Sequence, residues 1–200
     1  MNTTSDIRQK PDGCWNEIVL EKPLEHPHFL KSKLSYGSGE KKKFDFESII
    51  DIPSHISRSN NNPTSTNNWS SFRDRNWGCK WNPTDEKIKQ KIKGESLVSE
   101  FWTTDVPIGI LLKLLLDDPD LKISGHSKTY LKNDDGFVDK NSWIKYEWDI
   151  LNQYNTDELF DLRYELGRKY DEHGIHDLSL IGKTLKKKEI EEVNTLEDFF

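Results

Sequence analysis

Apolar and polar positions alternate with a period of two in several short runs. Such alternation is the mark of strands with one face buried. Asn16 to Glu21 is a short β-prone run that Pro23 closes. Phe44 to Ile50 starts with the same alternation and Pro53 ends it. Ser96 to Thr104 and Leu121 to Tyr130 are further strands, and Ser142 to Ile150 returns after the turn-forming Asn133-Asp-Asp-Gly136.

Helical spacing appears between these runs. Glu25 to Leu34 suits a short helix with Pro27 in its first turn. Val106 to Asp118 is apolar on nearly every side, so that helix must be covered all round. Asp105 stands before its positive end and Pro119 stops it. Thr156 to Glu172 carries Leu159, Leu162, Leu166 and Tyr170 along one side, and Gly174 suits its end. Thr184 to Val193 reads as a last polar helix.

Between these elements, Ser35 to Lys43 is expected to be an exposed loop and Ser54 to Asn68 an Asn/Ser-rich loop with too little to bury. Trp69 to Pro83 reads as an irregular aromatic segment and Lys87 to Gly94 as a charged link. The order of elements predicts an α+β fold. It matches the split βαββαβ unit of ferredoxin-like folds, an antiparallel sheet with helices on one face. An extra hairpin strand and a C-terminal helical extension are added. Three parts follow: a flexible leader over 1–13, an α+β domain over 14–150 and an acidic helical extension over 151–200.

Four stretches, Arg75-Asn-Trp-Gly-Cys-Lys-Trp-Asn82, Cys14 to Glu21, Phe44 to Pro53 and Glu100 to Pro107, together resemble the YubB-like ferredoxin-like family, whose members come from phages, plasmids and other mobile elements. Arg75-Asn-Trp-Gly-Cys-Lys-Trp-Asn82 is similar to that family's W-G-T-K-W signature. Cys14 to Glu21 is similar to its opening strand, with Trp and Cys exchanged. Phe44 to Pro53 is similar to its F-x-F-x-x-I-x-P-x-P segment, and Glu100 to Pro107 to its F-x-T-A-W-x-P-P junction. The departures are Cys79 in place of Thr, Asp105 in place of Trp, and a single Pro at 107. The resemblance covers residues 14–137 and implies a ferredoxin-like core in a viral or mobile-element accessory protein. It implies no activity.

Composition narrows the chemistry. Only 33% of the 200 residues are apolar, but seven Trp, six Tyr and nine Phe supply large buried surfaces. The net charge is −6, concentrated in residues 151–200, which hold twelve acids and seven bases. That balance gives no general push toward nucleic acid. The polar start is no secretory signal, and the run from Val106 to Leu116 is about half the ~20 residues a spanning helix needs. A cytoplasmic protein without a membrane association is the expectation.

Catalytic motifs are absent: there is no P-loop, G-x-G-x-x-G, G-x-S-x-G or H-E-x-x-H. Cys14 and Cys79 lack C-x-x-C spacing, and His26, His28, His173 and His176 lack zinc spacing. No catalytic residue, metal site or cofactor is nominated. The candidate surface is aromatic: Trp69, Trp77, Lys80, Trp81 and Trp102. If 77–81 were a strand, Trp77, Cys79 and Trp81 would share a face. Such a stripe either packs on the helix at 106–117 or presents a surface to an unidentified protein partner. A non-enzymatic interaction module is therefore the leading reading. The alternative is single-stranded nucleic acid stacked on the open sheet face, for which no RNP pattern is present. The tail Leu196-Glu-Asp-Phe-Phe200 is a candidate docking motif.

Overall fold

The computed structural model describes residues 13–23, 26–36, 43–56, 68–80, 82–83, 88–132, 138–173 and 178. Five strands make the main sheet: β1 (Cys14–Glu21), β4 (Lys89–Lys93), β5 (Ser96–Thr103), β6 (Lys122–Lys132) and β7 (Val138–Glu147). Their order is β4-β5-β1-β6-β7, and every neighbouring pair is antiparallel. Strands β1 and β4 thus run the same way with β5 between them. Strands β5 and β6 run the same way with β1 between them. A two-stranded ribbon pairs β2 (Ser35–Tyr36) with β3 (Lys43–Phe44).

The alternation in β1 sets the two faces. Cys14, Asn16, Ile18 and Leu20 are buried, and the register places Thr103, Phe101, Ser99 and Leu97 of β5 beside them. Helices cover this inner face: α1 (Pro27–Lys33), α2 (Trp69–Trp77), α3 (Ile108–Asp117) and α4 (Thr156–His173). Helix α3 buries seven residues, from Ile108 to Leu115 with only Lys113 spared. It is boxed in by the sheet, α2 and α4; α4 adds the buried Leu159, Leu162 and Leu166.

Glycine permits the closest of these approaches. A Cβ at Gly109 would overlap the backbone carbonyl of Asn76, so α3 touches α2 backbone to backbone. Gly78 caps α2 at φ 88°, a left-handed conformation, and its Cβ would overlap the Val106 carbonyl.

Within the core one polar network is complete. Asn16 donates to Thr103 Oγ1 at 2.8 Å and accepts from Ser127 Oγ at 2.6 Å. Trp148 Nε1 in turn donates to Ser127 Oγ at 3.1 Å. Each buried group finds a partner, so the desolvation cost is met.

Several expectations need correction. Phe44 to Ile50 is not a sheet strand: it pairs only at Lys43–Phe44 and then turns into a 3₁₀ helix over Phe46–Ser48. Asp45 Oδ1 accepts from the Glu47 amide, and Asn82 Oδ1 accepts from the Phe46 amide at 2.8 Å. Those side chains take the backbone bonds a ladder would need. The edge strand beside β5 is instead β4, inside the stretch read as a charged link. Lysines outward on an edge strand also discourage further pairing. The aromatic segment is helical over Trp69–Trp77, capped by Asn68, whose Oδ1 accepts from the Ser71 amide at 2.8 Å. Most of the Asn/Ser-rich loop, the 133–136 turn, the 1–12 leader and the helix over 184–193 lie outside the described residues.

Gly109→Ala should destabilise the protein by about 1–3 kcal/mol, the usual cost of forcing a methyl into a filled contact. Urea unfolding followed by circular dichroism measures it. An unchanged midpoint would show that α2 and α3 are not locked here.

Candidate functional site

The predicted aromatic residues are divided by the fold. Trp77 is fully buried. Its Nε1 donates to the Ile50 carbonyl at 3.1 Å, and its ring meets Phe46 edge-on at 5.8 Å. The Arg73 guanidinium lies 4.5 Å from the Trp77 ring and 4.6 Å from that of Trp69, which is half-buried. Arg73 also reaches Glu47 at 3.3 Å. A Trp held from every side in this way is packing material.

Lys80 is exposed; its amide donates to Thr104 Oγ1 at 3.0 Å and its ammonium lies 4.0 Å from Asp74. Trp81 lies outside the described residues. The strand alternation considered for 77–81 does not hold at its start, because Trp77 ends a helix and Gly78 caps it. Cys79 and Cys14 are buried, and burial pushes both thiols well above their ordinary pKa. Neither supplies a thiolate near neutrality. Among the described residues no group of three or more His, Cys, Asp or Glu is placed to hold a metal ion.

Trp102 lies half-buried on the other side of the sheet, away from the described helices. Its cross-strand partner is Trp15, a residue the sequence reading did not single out. Trp15 in turn sits beside Lys128 of β6 and packs against His126, ring centres 5.2 Å apart. By register this face also carries Lys89, Lys91, Lys93, Lys122 and Lys145, with Glu17, Glu21, Glu100 and Glu147. Lys91 pairs with Glu100 at 2.6 Å and Lys145 with Glu147 at 3.3 Å. Burial, and then Lys145 and Lys128, bring the His126 pKa down to about 4. The imidazole is therefore neutral at physiological pH, and its 3.8 Å approach to Glu17 is not an ion pair.

A second feature lies in the helix layer. A groove of about 440 Å³ runs between α2, α3 and α4, floored by Ile108, Gly109, Leu112 and Leu166. Its rim holds Phe160 and Tyr164, 64% and 66% exposed, one turn apart on α4. Arg75 on the α2 side grips Asp171 through two bonds of 2.7 and 2.8 Å. Arg168 grips Glu165 at 2.7 Å and also pairs with Glu172. Arg163 lines the same groove half-buried, and burial lowers its pKa while Asp117 pulls the other way. Among the described residues it makes no hydrogen bond or ion pair within reach.

Phe160 and Tyr164 were legible as a second stripe. They stand about 100° round the helix from Leu159 and continue to Gly167 and Asp171 at i, i+4, i+7 and i+11. The Leu stripe accounts for the helix without them, so nothing in the spacing singles them out.

No family model, no curated protein and no solved structure matches this chain.

Trp77→Ala should cost about 3–5 kcal/mol, as expected for emptying a large aromatic site. It also leaves the Ile50 carbonyl without its donor. Denaturant titration with tryptophan fluorescence reads the loss; stability within error of wild type would place this ring outside the core.

Proposed function

We propose that this chain is a non-enzymatic protein-interaction module, an accessory protein of viral or mobile-element type that acts in the cytoplasm on a ferredoxin-like core. One observation carries the interaction reading: Phe160 and Tyr164 stand 64% and 66% exposed side by side over an apolar floor. Aromatic and arginine side chains around a concave apolar patch are the usual makings of a protein-binding hot spot. The ferredoxin-like assignment is supported by the split strand order β4-β5-β1-β6, with α1 following β1 and α3 joining β5 to β6. That order is also what kinship to the YubB-like family implies. No helix of the described residues is long and apolar enough to cross a membrane.

A second reading rests on the open sheet face. Trp15 and Trp102 lie side by side there, with six lysines and four glutamates among the described side chains of that face. A local excess of positive charge beside flat rings suits a single nucleic-acid strand.

Replacing Phe160 and Tyr164 together by serine should leave thermal stability nearly unchanged, since exposed substitutions shift it by about 0.5 kcal/mol or less. The same variant should lose the protein that co-purifies with wild type from cells carrying the gene. A partner retained at full yield sinks the reading. For the sheet face, fluorescence anisotropy with a single-stranded RNA oligonucleotide decides. Binding that weakens with salt and disappears in Trp15→Ala and Trp102→Ala favours nucleic acid; no binding at low salt removes it.

A further inference from the structure

The groove beside α4 holds three arginines in unequal states. Arg75 is neutralised by Asp171, and Arg168 by Glu165 and Glu172. Arg163 has no hydrogen bond or ion pair among the described residues, and Asp117 attracts it without pairing with it. Arg163 lines the groove half-buried, with the apolar floor and the two exposed rings, so part of its side chain still meets solvent.

Any partner that fills the groove strips that remaining water away. Closing a guanidinium off from water with only the unpaired attraction of Asp117 to offset it is costly. A purely apolar partner would bear that cost in full, and a cationic one would add repulsion. A carboxylate placed on Arg163 removes it, and its two oxygens match the two-pronged geometry of the guanidinium.

The number of carboxylates is also constrained, because Arg75 and Arg168 already hold carboxylates of this chain and only Arg163 is left for one from a partner. The rings set the other requirement: Phe160 and Tyr164 are about 6 Å apart along the helix axis, one apolar side chain's width.

We propose that the α4 groove takes a short apolar segment of a partner protein carrying a single carboxylate, the carboxylate on Arg163 and an apolar side chain between Phe160 and Tyr164. This rests on the interaction reading of the same groove and names its ligand chemistry.

Random displayed dodecapeptides, selected on the immobilised full chain, test it. The expected sequences carry one Asp or Glu close to Phe, Leu or Trp. Such peptides should bind Arg163→Gln at least about tenfold more weakly, in line with the loss of one partner of a desolvated charge pair. Arg163→Lys should recover part of the loss, and Phe160→Ser should abolish binding. Thermal melts confirm that each variant is folded; if Arg163→Gln is not, Arg163→Lys alone against wild type still reads the charge geometry. Peptides lost in Phe160→Ser but indifferent to Arg163→Gln and Arg163→Lys would overturn the carboxylate claim and leave the interaction reading standing. If no selected peptide is lost in Phe160→Ser, both fall. A dimer in sedimentation that Phe160→Ser dissolves would make the groove a contact between two copies and overturn the proposal of a separate partner.

Discussion

Helix α3 has almost no polar side to give to water, and the rest of the fold is arranged around that fact. Seven of its residues are buried, so one covering layer is not enough. The sheet covers it from below, α2 closes against it through Gly109, and α4 lays Leu159, Leu162 and Leu166 along it. Each of these neighbours owes its position to that demand. Helix α2, polar in sequence, is held by its Asn68 and Gly78 caps and by the burial of Trp77. The groove is what remains where α2 and α4 fail to meet over Ile108 and Leu112.

The aromatic residues divide along the same line. Phe44, Phe46, Phe101 and Trp77 form one cluster of tilted and edge-on ring pairs in the core. Arg73 closes it toward the surface by lying against Trp77 and Trp69. The residues that dominate the sequence by rarity are thus mostly structural. The aromatic side chains outside that cluster are less conspicuous ones: Phe160 and Tyr164, exposed on a helix, and Trp15 with Trp102, half-buried on the sheet face away from the described helices.

These two outward surfaces lie on opposite sides of the sheet and differ in charge chemistry. The sheet face presents lysines in excess over glutamates, with its one histidine neutral. The α4 side presents acids on its outer flank and, in the groove, Arg163 with no ion pair among the described residues.

Periodicity determined much of the fold from sequence alone. Strands β1, β5 and β6 and helices α3 and α4 are each a run whose apolar spacing is right for one structure and wrong for the other. Three elements were decided only by tertiary structure. KQKIK becomes β4 because β5 offers it an open edge, not because it favours a strand. Phe44 and Phe46 alternate like a strand, but Asn82, distant in sequence, takes the Phe46 amide and turns the chain. WSSFRDRNW is helical through its caps and its contact with α3, which no local pattern reveals. The candidate site divides the same way. Which side chains have the chemistry to bind was written in the residues. Which of them face water was not, because exposure depends on what other elements cover, and a residue's own neighbours in the chain carry no record of that.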